Sequence, residues 1–299
     1  MSDCPVWILT WKRPDCLDRL IRQLSSEGFT NINIMSNHPE LLVADDLIAA
    51  NINIINNAVI NTLTEPESNS WCTRSWNSIA LKAFKNGDRC MFFQDDTTIN
   101  PGFGNWFREV SQKYDLLWGP AGDQWFYFTR TVFANAGYFD ERFISCFCGD
   151  CDWLRRAYHR NDKSKLCIED THDWGIIHNP CGVRQFVNHG YGRRGAHLDN
   201  HWEAIKHGYL GRLVTYTEGL YYQKWGRKMQ EKISESPSEP LIVEVDWYPW
   251  FTQDVLGQQY IDLYDERSKK FAKEVGGEFL SNLSQKGTPE VKEFLCKGC

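Results

Sequence analysis

Met91-Phe92-Phe93-Gln94-Asp95-Asp96-Thr97 decides the reading of this chain. Three large apolar residues in succession predict a strand buried on both faces, as in parallel sheets covered by helices. The run stops at two carboxylates, and open α/β sheets bind their ligands at the carboxyl ends of strands. Acidic side chains there point to a divalent cation. Further along, Gly137-Tyr138-Phe139-Asp140-Glu141-Arg142-Phe143, followed by Gly149-Asp150-Cys151-Asp152, supplies more carboxylates after a turn. Trp153-Leu154-Arg155-Arg156-Ala157 then reads as the start of a helix.

Upstream, Val6-Trp7-Ile8-Leu9-Thr10 is a short apolar run, and Pro14 opens a segment whose Cys16, Leu17, Leu20, Ile21 and Leu24 share one helical face. Gly28 closes that helix, and Ile32-Asn33-Ile34-Met35 predicts a second strand. Pro39 starts a helix running to Ile48, and Ile52-Asn53-Ile54-Ile55 predicts a third strand. Asn-Ile-Asn-Ile occurs at 31–34 and again at 51–54; without a third copy it reads as two similar strands of one sheet. Thr62 to Asn69 reads as a loop, Trp71 to Phe84 as an amphipathic helix, Gly87-Asp88 as a turn and Cys90 to Gln94 as the fourth strand. This alternation predicts an α/β fold with a Rossmann-like, mixed but mainly parallel sheet flanked by helices. From Leu116 to Thr131, aromatic runs broken by Gly119-Pro120 and Gly122 predict mixed strands lining the cleft. The expected organisation is one domain over 1–230, a Ser/Pro-rich linker over 231–240 and a small appendage over 241–299 that no motif explains.

A chain of 299 residues holds one large domain or two smaller ones. The net charge of -6 argues against a protein that coats nucleic acid, because phosphate binding is driven by Lys and Arg. Thirteen Trp suit a site for flat nucleobases or sugar faces, and equally a large core. There is no run of about 18 uncharged apolar residues and no basic-then-apolar leader, so no transmembrane segment and a cytoplasmic location are expected. The eleven cysteines lack framework spacing and predict reduced thiols. Cys146, Cys148 and Cys151, with Cys167, His178 and Cys181 downstream, lack a second zinc knuckle and read as buried thiols.

The motifs, taken in order, resemble those of GT-A glycosyltransferases, and within them the inverting, family-2-like enzymes. The likeness covers residues 5–228 in motif order. It rests on the strand-Pro-helix opening, Arg74 and Asn77 on one helix, Gln94-Asp95-Asp96, the Gly137–Phe143 segment, Gly149-Asp150-Cys151-Asp152, His189-Gly190 with Gly192, and Lys224-Trp225-Gly226. The resemblance implies a nucleoside-diphosphate sugar as donor, UDP-sugar favoured, and Mn2+ or Mg2+ as cofactor. The metal would be held by Asp96 and His189, with His178 and His197 competing for the second role. Thr10, Trp11, Arg13, Ser36 and Asn37 would face the nucleobase, and Arg74 and Asn77 the rest of the donor. Gln94 replaces a residue that is usually acidic in the family, which leaves the nucleotide-binding role of Asp95 open. Asp150 matches the base position, with Asp152 as the alternative. The acceptor would be a glycan or another hydroxyl compound, with DNA or RNA still open.

The chemistry needs such residues. A sugar leaves a diphosphate through an oxocarbenium-like transition state, as in glycoside hydrolysis. Negative charge then grows on phosphate, and a hard cation with one or two carboxylate ligands offsets it. The acceptor hydroxyl gives its proton to a carboxylate within hydrogen-bond reach. Asp150 and Asp152 also suit a helix start, where acids favour the macrodipole, and Asp140-Glu141 suits a turn before Phe143. Two other functions compete. A nucleotidyltransferase forming sugar nucleotides would carry a Gly-rich basic loop after the first strand, where this chain has Trp11-Lys12-Arg13-Pro14. A non-catalytic carbohydrate or nucleic-acid binding module would use the aromatics alone.

Overall fold

β1 (Val6–Thr10) and β4 (Arg89–Gln94) pair in parallel at the centre of the sheet, and nearly every residue of both is buried. The computed structural model describes residues 4–10, 14–36, 59–64, 71–119, 124–140, 143, 149–170, 176–188, 221, 224–226, 233 and 237–240. Around the central pair lie β2 (Asn31–Ser36), β3 (Val59–Thr64), β6 (Leu116–Trp118), β7 (Trp125–Thr129), β8 (Leu166–Asp170) and β9 (Ile176–His178). The sheet order is β3-β2-β1-β4-β7-β6-β8-β9. β3, β2, β1 and β4 run parallel, β7 is antiparallel to β4 and β6, and β6 is parallel to β8. This is the mixed, mainly parallel α/β sheet expected. β5 (Thr98–Ile99) and β10 (Val187–Asn188) form a separate antiparallel pair.

Alternate residues of each strand feed two cores. Val6, Ile8, Met91 and Phe93 pack beneath α1 (Pro14–Ser26) and α3 (Phe103–Val110). Trp7, Leu9, Cys90 and Phe92 pack beneath α2 (Trp71–Asn86), α4 (Arg130–Ala136) and α5 (Gly149–Arg160). Burial on both faces is why these strands read as continuous apolar runs. α1 buries Cys16, Leu17, Leu20, Ile21 and Leu24, the face its spacing predicts, and Gly28 ends it at a φ of 83°, where a side chain would be strained. No helix among the described residues is long and apolar enough to cross a membrane.

Three expectations change. The strand beside β2 is Val59–Thr64, which takes in part of the expected loop; its Asn and Thr residues hide the alternation. The helix expected over 39–48 and the strand over 52–55 lie outside the described residues. β6 and β7 fill the core rather than line a cleft: Trp118 and Trp125 are buried, and Trp118 stacks on Phe126 at 4.7 Å. The Ser/Pro-rich stretch touches the domain, because Ile233 is buried against α5, its carbonyl 3.1 Å from His159 Nε2, and Glu239 pairs with Arg160. Residues 241–299 lie outside the described residues.

The cysteine reading also changes. Cys167 on β8 is joined to Cys181 by a disulfide, whereas Cys4, Cys16, Cys72, Cys90 and Cys151 form none, and Cys146 and Cys148 lie outside the described residues. The chain turns through β9 and brings Cys181 back over Cys167, a closeness that no local spacing announces. Glu169 anchors the return by accepting the backbone N–H groups of Cys181 and Gly182. Such links are rarer in a reducing cytosol than in oxidising surroundings. His178 is bonded elsewhere, with Nε2 2.8 Å from the Lys163 carbonyl and its ring edge-on to Tyr158.

Candidate active site at the carboxyl edge of the sheet

From β1 the chain passes through α1 to β2 on one side, and after β3 and α2 it returns to β4 on the other. The order therefore reverses between β1 and β4, and a crevice outside that point is where such sheets take ligands. The register sets Thr10 opposite Ser36, and Ser36 opposite Thr64. Polar residues thus end β1, β2 and β3 at one edge. On the other side of the reversal, Asp95 N–H donates to the Leu9 carbonyl, extending the β1–β4 pairing by one bond. Thr10 Oγ1 then donates to Asp95 Oδ2 at 2.6 Å, and both residues are buried. Two residues expected near the nucleotide are thereby in direct contact across the switch point.

Asp96 follows in the turn and is 7% exposed. Thr97, fully buried, donates through Oγ1 to the Gln124 carbonyl at 3.0 Å and ties this turn to the chain entering β7. The donor set offered by Asp95 and Asp96 is hard carboxylate oxygen, which fits Mg2+ or Mn2+ rather than a thiophilic metal. Among the described residues only Cys167, Glu169 and Cys181 gather three potential ligand atoms within 4.8 Å, and the disulfide takes up both sulfurs. Cations that also bind substrate phosphates usually take one or two protein carboxylates.

Asp150 reaches the same edge by another route. α2 ends at Asn86, just before β4 begins at Arg89, so its 16 residues, about 24 Å of helix, lead back from the carboxyl edge. The first turn of α2 meets the first residue of α5 there. Thr73 Oγ1 donates to the Phe143 carbonyl at 2.8 Å, and a Cβ on Gly149 would clash with Thr73 Cγ2. That approach requires glycine. Asp150 is the next residue, 6% exposed, with Oδ1 3.0 Å from Cys151 Sγ.

Asp152, two residues on, is 0% exposed. Its Oδ1 accepts from Lys224 Nζ at 2.6 Å and Trp225 Nε1 at 2.9 Å, and its Oδ2 from Arg156 Nη2 at 2.8 Å. Burial alone would raise its pKa, but Lys224 and Arg156 outweigh that and hold the carboxyl below its ordinary value. Asp152 is therefore turned into the protein and is not disposed to take a proton from an acceptor. Asp140 is also fully buried and accepts from Lys224 at 2.8 Å. Asn77, expected on the donor side, clamps Phe139 instead: Nδ2 donates to its carbonyl at 2.8 Å and Oδ1 accepts its N–H at 2.7 Å. Replacing Asn77 by Leu should destabilise the fold by about 1–3 kcal/mol, because it strands the buried Phe139 groups; urea denaturation checks this.

Arg74 belongs to α2, with its side chain outside the described residues, as are Trp11, Arg13, Asn37, His189 and His197. Sequence reasoning missed the partners of Asp152. Arg156 was legible at the i,i+4 spacing of helical ion pairs, whereas Lys224 is brought in only by the fold.

No family model and no curated protein matches the chain. Among solved structures, S. aureus TarS 1-349 is 11% identical, with 74% of each chain covered and a TM-score of 0.43. The mannosyltransferase PcManGT from Pyrobaculum calidifontis, in complex with GDP-Man and Mn2+, is 10% identical, over 98% of this chain and 78% of that one, with a TM-score of 0.48. A putative glucose-1-phosphate thymidylyltransferase from Bacillus anthracis is 10% identical, over 76% of this chain and 99% of that one, with a TM-score of 0.38. At such identities and TM-scores these likenesses carry no argument, and the fold rests on the strand order described above.

Proposed function

We propose that this chain is a GT-A glycosyltransferase that moves a sugar, with inversion, from a nucleoside-diphosphate donor to an acceptor hydroxyl. One observation carries the reading: buried Asp95 and Asp96 close the central strand at the point where the sheet order reverses, with Asp95 bonded to Thr10 across it. Asp96, with His189, would hold Mn2+ or Mg2+, which supplies charge neutralisation to the departing diphosphate. Thr10, Ser36 and Asp95 would orient the nucleoside. Asp150 is the base in this reading, because Asp152 is spent on Lys224, Trp225 and Arg156. UDP-sugars are the favoured donors and a glycan the favoured acceptor.

The test is a screen of nucleotide sugars for metal-dependent release of nucleoside diphosphate. Pyrophosphate release from a nucleoside triphosphate and a sugar phosphate would point to nucleotidyl transfer instead. Melting adds a readout that needs no acceptor. A nucleotide at a hundredfold excess over its dissociation constant stabilises the fold by about 2.7 kcal/mol. In a chain of this size that is a shift of roughly 5–11 °C. Uridine diphosphate with manganese is expected to give such a shift, and chelator or Asp96→Ala to remove it. A shift that survives both would reject the metal-bridged site.

A further inference from the structure

α5 is fastened at its first two turns by side chains from a stretch far along the chain. The Tyr221 hydroxyl accepts from Arg155 Nε, and Lys224 and Trp225 both end on Asp152. Tyr221 also meets the Phe143 ring, and Lys224 grips two segments by charge. Its ammonium sits 2.6 Å from Asp152 on the helix and 2.8 Å from Asp140 in the turn before it. Arg156 makes the matching tie from the helix, joining Asp152 to the carbonyls of Ala136 and Tyr138. Asp140, Asp152 and Arg156 are 0% exposed and Lys224 1%, so solvent does little to screen these charges, and the two carboxylates lie against the two cations. Asp150 lies in the turn they hold.

We infer that Lys224 is a positioning residue for Asp150: by bridging Asp140 and Asp152 it fixes the first turn of α5 and the direction of the Asp150 carboxylate. The inference rests on the reading of Asp150 as the base. It also means that the catalytic unit extends through Trp225 and is incomplete without it.

Three proteins test it: wild type, Lys224→Met and the double variant Lys224→Met/Asp140→Asn. Lys224→Met leaves an uncompensated buried carboxylate, and its melting temperature should fall by roughly 6–20 °C. The double variant removes one charge of each sign, leaves Asp152 facing Arg156, and should regain most of that loss. It still lacks the bridge. Its kcat should therefore stay low, by up to about 10²-fold, with donor KM near that of wild type. Hydrogen exchange at the amides of Trp153 to Arg156, whose carbonyl partners lie in the first turn, should stay faster than in wild type. A purely structural lysine predicts the reverse, with kcat and exchange recovering along with stability, and that outcome overturns the inference. A raised donor KM would also overturn it, by making Lys224 a binding group. If no donor supports transfer in any of the three, the reading of Asp150 fails, while the exchange comparison still decides whether Lys224 fixes the turn.

Discussion

Asp150→Asn is expected to lose turnover by about 10²–10⁴-fold, the usual contribution of a general base, while binding donor and metal as wild type does. The amide keeps the shape of the carboxylate and its acceptor oxygen toward Cys151. What it lacks is a site for the acceptor proton. The informative measurement is kcat and donor KM together, with melting as a control on the fold. Loss of kcat at constant KM removes an interaction made only in the transition state. Undiminished turnover would remove Asp150 from the chemistry and reopen the search for the base.

Asp152→Asn should show the opposite signature. Its carboxylate takes up two buried cations, and removing one partner of a buried ion pair costs about 3–5 kcal/mol. That corresponds to a fall of roughly 6–20 °C in melting temperature. Donor affinity of the molecules that remain folded should be little changed. The pH dependence adds a check. Burial opposes ionisation, yet Lys224 and Arg156 win and hold the folded-state pKa below the ordinary 3.8. A carboxyl depressed on folding contributes stability above its unfolded value, and that contribution is lost as pH falls through the folded value. The stability gap between wild type and Asp152→Asn should therefore be flat above 3.8 and narrow below it. A variant that melts like wild type but fails in catalysis would exchange the roles of the two aspartates.

These two carboxylates also show how far residue type carries. Gly-Asp-Cys-Asp marks a helix start, and both acids do lie in the first turn of α5. That Asp152 is locked into the protein depends on Lys224 and Trp225, whose arrival no local pattern announces. Asn77 teaches the same lesson, since a polar residue on a helix face suits a ligand or a neighbouring backbone equally well until Phe139 is seen against it.

The sequence by itself determined β1, α1, β2, α2 and β4, because their apolar periodicity is set by burial and their ends by proline and glycine. It also located the acidic turn at Asp95 and Asp96, because a buried strand that stops in carboxylates has few bland explanations. The tertiary structure alone decided three things. It paired Val59–Thr64 with β2, where Asn and Thr conceal the alternation. It joined Cys167 to Cys181 through the β8–β9 return. It gathered Asp140, Asp152, Arg156 and Lys224 into one buried ionic cluster. Local patterns report how a residue partitions between water and core, whereas which buried charges meet is fixed only when distant segments pack together.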